Sequence, residues 1–399
     1  MLQLTTVIPS LTRTYAGAWA HNAPGAPSGR RYSPAQQAER EREVDLLMEK
    51  SLPRIDRIRG MDESDRARFA GRAHTALGKL LMEGSDPRVD TFFDECETVG
   101  KAFVRRARQF DSSLGGGDIH QALRNQWVFN SIEVFLGRTV SLTPGSFAYS
   151  LMYPYTDNWL DAGSHTTGEC EEFQESLRRC LEGETGPEEQ GPFSRLVRTI
   201  EEEFPRDRYP AVYDALLAIL QAQGTGLRLQ GPVDGVDESS LELITIEKGG
   251  ASVAVDGFLV HGWLGPGDLH ALFGYGVVLQ FIDDLQDVAE DAAAGHSTMF
   301  TRASAGGPLD DVTGRLIRFT ESTVALLDTP GGGAFLPRLV GASCLFLILE
   351  AVARHGERYT QRYLEMLEEF SPLRFSFLAG LHDRVRSAMA GREDVLMSA

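Results

Sequence analysis

The sequence predicts an all-α fold, and three observations carry that prediction. Apolar residues recur at helical spacing along most of the chain, as in VDLLMEKSLPRI, IHQALRNQWVFNSIEVFLG and YPAVYDALLAILQAQ. Gly, Pro and Asp punctuate these runs where helices start and stop. The β-branched runs are short and fall inside helical periods, so they build no strand ladder.

The bulk numbers bound the answer further. The chain has 399 residues, of which 42% are apolar, enough to fill a large helical core. A net charge of −18 argues against a nucleic-acid partner, which requires a basic face. Cys96, Cys170, Cys180 and Cys344 are widely spaced with no CxxC, so neither a disulfide framework nor a zinc site is indicated, and a reducing cytoplasm fits best. No secretory signal pattern opens the chain, and no repeat recurs at a fixed period. The most apolar run, CLFLILEAVA, is shorter than the ~20 residues of a membrane span and reads as a buried core helix.

In order, residues 1–38 are rich in Pro, Gly, Ala and Ser and predict a flexible N-terminal arm, leaving 39–399 as one all-α domain. Helical text begins near Ala35 and continues to Phe110, where Arg105, Arg106 and Arg108 suit a helix C-terminus. After SSLGGGD, Asp118 is placed to cap a helix in which Gln121, Arg124 and Asn125 are polar positions among aromatics. Such residues serve as surface groups, as helix–helix hydrogen-bond partners, or in the case of Arg124 as a ligand contact. Pro144 opens the next helix, SFAYSLMYPYTDNWLDAG, with Asp157 and Asp161 four apart on one face. Lys248, followed by Gly249 and Gly250, stands where a backbone can be approached closely, or else snorkels to the surface.

The densest chemistry lies in QFIDDLQDVAED. Gln280, Asp283, Asp284, Asp287 and Asp291 share one helical stripe that is apolar a turn earlier. Acids that continue a buried face are unfavourable unless a cation neutralises them. A hard divalent ion such as Mg²⁺ is suited to that role, because it takes carboxylate oxygens and keeps waters for a phosphate to replace. A solvated helix face is the competing reading.

These residues carry a resemblance. LELITIEKGGASVAVDGFLVHGWLGPGDLHALFGYGVVLQFIDDLQD resembles the C-terminal half of trans-prenyl diphosphate synthases, in the class I isoprenoid synthase superfamily. Lys248 matches that family's lysine, Gln280 its glutamine, and Asp283, Asp284 and Asp287 its second aspartate-rich motif. DNWLD, with Asp157 and Asp161, looks like a degenerate first motif, and HSTMF is similar to a K-x-T segment with His296 replacing the lysine. The likeness spans roughly residues 118–300. It implies an antiparallel bundle around a deep apolar cavity, with both acidic motifs holding three Mg²⁺ ions on a prenyl diphosphate. Lys248, Arg124, Arg358 and Gln280 would bind the diphosphate, and Phe147, Tyr153 and Trp159 would line the cavity. The negative net charge is compatible with this, since bound cations invert the local field.

Departures from the family pattern refine the expectation. No arginine pair follows the first motif, where AGSHTTGEC stands, and ALGKLLMEG is a poor match to the N-terminal element for isopentenyl diphosphate. The site is therefore equipped for one diphosphate. That favours a terpene synthase acting on a prenyl diphosphate of fifteen to twenty-five carbons over a chain-elongating prenyltransferase or a non-catalytic partner subunit. The N-D-x-x-S-x-x-x-E motif of many bacterial cyclases is absent. Arg358-Tyr359 and Arg362-Tyr363 resemble the Arg-Tyr pair that such cyclases place on pyrophosphate. Tyr153, one turn before Asp157, is expected to close one cavity wall. Relatives of this kind are commonly dimers, which implies a possible homodimer.

Overall fold

The structure, a computed structural model, describes residues 4–55, 78, 82, 86–160, 167–184, 191–226, 237–328 and 335–389. The regular elements among the described residues are all helical, as the apolar spacing predicts. The first half holds α1 (Leu4–His21), α2 (Pro34–Ile55), α3 (Pro87–Phe110), α4 (Gly116–Phe135), α5 (Pro144–Leu160), α6 (Thr167–Glu182), α7 (Pro192–Glu203) and α8 (Pro210–Gly226). Then come α9 (Glu238–His261), α10 (Pro266–Gln286), α11 (Val288–Ala294), α12 (Met299–Gly306) and α13 (Asp310–Val324). The described chain closes with α14 (Phe335–Arg354), α15 (Gln361–Glu368) and α16 (Phe375–Met389).

Local chemistry sets the helix starts. Pro34, Pro87, Pro144, Pro192, Pro210 and Pro266 each open a helix, where a missing N–H leaves nothing unsatisfied. The Asp86 carboxylate accepts from the Arg88 N–H at 3.0 Å, and Asp237 accepts from the Ser240 N–H at 2.7 Å. Asp118 differs from its expected place as the cap itself. It lies inside the first turn of α4 and accepts from the N–H of Gly115, the actual cap residue, at 2.8 Å.

The helices α9 and α10 form the centre. Most of α9 beyond Lys248 and of α10 before Gln280 is buried and apolar, as in helices surrounded by protein. Glycines let them approach closely. A Cβ on Gly249 would stand 2.5 Å from Gln280 Cβ, and one on Gly257 would stand 2.4 Å from the Leu272 side chain. The pairing 249 with 280 and 257 with 272 makes the two helices antiparallel.

The N-terminal segment corrects the expectation of a flexible arm. Residues 4–21 form α1, which buries Leu4, Ile8, Tyr15 and Trp19 against the bundle. Tyr15 donates its hydroxyl to the His270 carbonyl at 2.8 Å, and Trp19 packs edge-on to Phe281 at 4.7 Å. The stripe 4, 8, 15, 19 is helical, but the Pro- and Gly-rich text after it dominates the composition. Even the non-helical stretch is anchored, since the Ser28 N–H donates to Glu321 at 2.6 Å.

A second difference concerns α14. The apolar run CLFLILEAVA extends backward through FLPRLVGAS into a helix of 20 residues. By length and composition that helix could cross a membrane, and half of it is buried within the fold.

Candidate functional site

The acidic cluster sits at the C-terminal end of α10. The helix ends at Gln286, and Asp287 is both its C-cap and the start of α11. The stripe survives this junction, because the Asp287 N–H donates to the Asp283 carbonyl (3.0 Å) and the Asp291 N–H to the Asp287 carbonyl (2.8 Å). The Gln286 carbonyl is met by Arg354 Nη2 at 2.6 Å and His355 Nε2 at 3.0 Å from the end of α14. These donors satisfy a helix terminus that prefers cations.

The aspartates differ in environment. Asp284 is only 7% exposed; its Oδ1 accepts from Gln280 Nε2 at 2.8 Å, while Oδ2 is buried without a partner. Burial pushes its carboxyl up to about 7; the Gln280 bond opposes this, the Asp283 charge adds to it, and Lys248 pulls it back. Asp287 rises to about 6 through burial and the crowding charges of Asp283, Asp291 and Glu290. Asp291 is raised by burial, and its partner His296 stands at 3.4 Å. Asp283 pairs with Arg124 Nη2 at 3.0 Å, both side chains being about half exposed. Such an exposed pair contributes ~0.2–1 kcal/mol, so Arg124 is readily exchanged to another anion.

Helix register brings the other elements to the same end. Asn125 of α4 donates to Ser150 of α5 and to Asp256 of α9, each at 3.3 Å. Tyr153 of α5 meets Ser252 of α9 at 2.8 Å. Moving along α5 from 150 to 153 thus moves back along α9 from 256 to 252. One more turn brings position 157 level with Lys248. Lys248 itself lies beside the end of α8, its Cδ 3.5 Å from where a Gly226 Cβ would stand, and its charge acts on Asp284 and Asp291.

Other predicted residues fall elsewhere. Asp157 and Trp159 lie on α5, their side chains being outside the described set, and Asp161 lies outside the described residues. Arg358 donates to Ser304 of α12 at 2.5 Å and faces Glu357 at 3.6 Å. Tyr359, next to it, is buried and bonded to Thr313 at 3.0 Å. Phe147 is not among the residues lining the pocket at Tyr153. It is buried against Phe103 at 5.3 Å, with the Arg106 guanidinium 4.2 Å above its ring. Large aromatics on one helix divide between core and cavity according to face, and composition does not reveal which.

Tyr153 does line a pocket, together with Tyr149, Met152, Phe193, Leu216 and Gln223 between α5, α6, α7 and α8. Its lining is mostly apolar, with Thr156 and Gln223 among the polar members. The polar seam of Asn125, Ser150 and Asp256 behind it was not anticipated in function. Its signal was the single acid inside the apolar run VAVDGFLV.

The donor set suits a hard divalent cation. Asp284 presents an unpartnered oxygen, and Asp283, Asp284, Asp287 and Asp291 crowd one another without enough positive charge. Among the described residues no three Asp, Glu, His or Cys side chains converge as a closed metal cage requires. An ion held by one or two carboxylates, with water and phosphate oxygens completing its shell, is the arrangement Mg²⁺ prefers. No family model, curated protein or solved structure matches this chain.

Proposed function

We propose that this chain is a Mg²⁺-dependent terpene synthase that ionises a linear prenyl diphosphate of fifteen to twenty-five carbons. The observation that carries the reading is the convergence of Lys248, Arg124, Gln280 and the acids Asp283, Asp284 and Asp287 at one end of the α9–α10 pair, with a buried, unpartnered Asp284 oxygen among them. The order of these residues in the chain, and the resemblance it carries, supports the same reading.

One or two of Asp283, Asp284 and Asp287 would hold each Mg²⁺ ion, with Asp157 and Asp161 as the second group. Such an ion would neutralise the diphosphate and stabilise the leaving group. The allylic C–O bond then breaks heterolytically, and pyrophosphate departs with the bonding electron pair. Arg124, released from its weak pair with Asp283, offers two parallel N–H donors to phosphate oxygens. Lys248 adds a point charge where negative charge develops. Tyr149 and Tyr153 line the pocket, and aromatic rings there would stabilise a carbocation and keep water from it. The cation cyclises and then loses a proton to the departed pyrophosphate, giving a hydrocarbon, or captures water with loss of a proton, giving an alcohol.

A prenyltransferase that adds isopentenyl units is the alternative, and the missing arginines after position 161 weigh against it. Incubation with fifteen-, twenty- and twenty-five-carbon prenyl diphosphates, with and without isopentenyl diphosphate, separates the two. A hydrocarbon or alcohol formed from one substrate alone supports the synthase. Longer diphosphates formed only with isopentenyl diphosphate support the transferase.

A further inference from the structure

Asp256 is fully buried in the C-terminal part of α9, eight residues and about 12 Å along the axis from Lys248. Its Oδ1 accepts from Asn125 Nδ2, and its Oδ2 is buried without a partner. Among the described residues no arginine, lysine or histidine is paired with it, and burial raises its carboxyl well above the ordinary range, which favours the protonated form. The same Asn125 amide also donates to Ser150 of α5. One carboxamide therefore ties α4, α5 and α9 together. Its neighbour in sequence, Arg124, reaches the fourth helix, α10, at Asp283. A second tie, from Tyr153 to Ser252, lies one turn nearer the acidic end.

An apolar seam lets packed helices slide or rotate by fractions of a turn, whereas a buried directional bond penalises any register that breaks it. We propose that Asn125 is a positioning residue which, through Ser150 and Asp256, locks the register of α4, α5 and α9 and so sets Arg124 against Asp283 and position 157 level with Lys248. The acid is suited to this role because burial favours its protonated form. In that form its carbonyl oxygen accepts from the amide, and no unpaired charge stands in the core.

The lock concerns geometry, so a geometric measurement tests it; only the second readout below rests on the diphosphate reading. Cysteines replace Arg124 and Asp283, exposed native cysteines are changed to serine, and cross-linking by a short bis-maleimide is timed in three backgrounds. With Asn125→Ala the cross-linking rate falls severalfold while the helical circular dichroism is kept. With Asp256→Asn, which preserves a neutral acceptor, the rate is unchanged. If Asn125→Ala is too unstable to assay, Ser150→Ala removes one arm of the tie and slows cross-linking to a smaller extent. An unchanged rate in Asn125→Ala, or in Ser150→Ala where that substitutes for it, overturns the lock. A loss in Asp256→Asn equal to that in Asn125→Ala overturns the neutral-acid role.

The second readout is the thermal shift produced by Mg²⁺ with inorganic pyrophosphate, measured with Arg124 and Asp283 intact. The shift is present in the native protein, absent in Asn125→Ala and retained in Asp256→Asn. A native protein that shows no shift counts against the diphosphate site, and the cross-linking result still decides the lock.

Discussion

Gly276 of α10 lies so close to Gly249 of α9 that a Cβ added to it would stand 2.1 Å from the Gly249 carbonyl oxygen. The obstructing atom is backbone and has no rotamer through which to retreat. This contact sets how near α10, with its acids, lies to the helix that carries Lys248. Gly276→Ala gains up to ~1 kcal/mol of helix propensity but loses about 1–3 kcal/mol or more to overpacking, so the clash wins. Gly17→Ala in α1, with open space at the Cβ position, keeps the propensity gain alone. Denaturant melts of the two variants should move in opposite directions.

Arg124→Ala separates binding from stability. The Arg124–Asp283 pair is half exposed, so its loss should lower stability by less than about 1 kcal/mol. The KM for a prenyl diphosphate should rise and turnover should fall, because a phosphate-binding guanidinium is gone. A large drop in melting temperature with unaltered kinetics would assign Arg124 a structural role.

Asp284→Asn is expected to stabilise the metal-free protein while removing activity. In a buried position with one unpartnered oxygen, the ionised carboxylate is disfavoured by a shift from 3.8 to about 7. That corresponds to a penalty on the order of 4 kcal/mol at alkaline pH, which an amide does not incur. Asp283→Ala, at an exposed position, should leave the melting temperature nearly unchanged and abolish turnover. If either variant turns over at the native rate, the role given to the aspartates is wrong.

Glu133 provides a pH test distant from the site. It is buried at the end of α4, accepts from the Ser141 N–H and hydroxyl at 3.0 Å each, and is pushed up to about 7 by burial. Its folded-state pKa is raised above its unfolded value, so the protonated form is favoured in the fold. The penalty for ionisation is absent below the ordinary carboxylate range, grows with pH, and is complete above about 7. Glu133→Gln should therefore gain in melting temperature relative to the native protein between pH 5 and pH 8. A difference that stays flat across that window would contradict the burial argument.

Trp19→Ala tests the placement of the N-terminal helix. Trp19 is buried against Phe281 and Phe319, so truncation should remove about 3–5 kcal/mol. A loss below 1 kcal/mol would mean that α1 does not pack as described.

Helical class was legible because α9, α10 and their neighbours carry long runs with one period and few β-branched interruptions. Lys248, Gln280 and the aspartates were legible because polar groups stand out in apolar text. What periodicity could not supply was contact. Phe147 and Tyr153 sit on the same helix, yet one enters the core and the other a pocket, a division set by neighbouring helices far away in sequence. Arg358 looked available beside Tyr359, but Ser304 engages it. The stripe of α1 was hidden by the Pro- and Gly-rich text that follows it. Asp256 was visible as one acid in an apolar run, but its tie to Asn125 spans 131 positions and no local pattern encodes it.

The most direct test of the central claim is pyrophosphate release from purified protein given a single prenyl diphosphate, with Mg²⁺ and then with excess EDTA. The account predicts release with Mg²⁺ together with a hydrocarbon or alcohol, suppression by EDTA, and no release by Asp283→Ala under either condition. Release that persists in EDTA, or that Asp283→Ala sustains at the native rate, would contradict it.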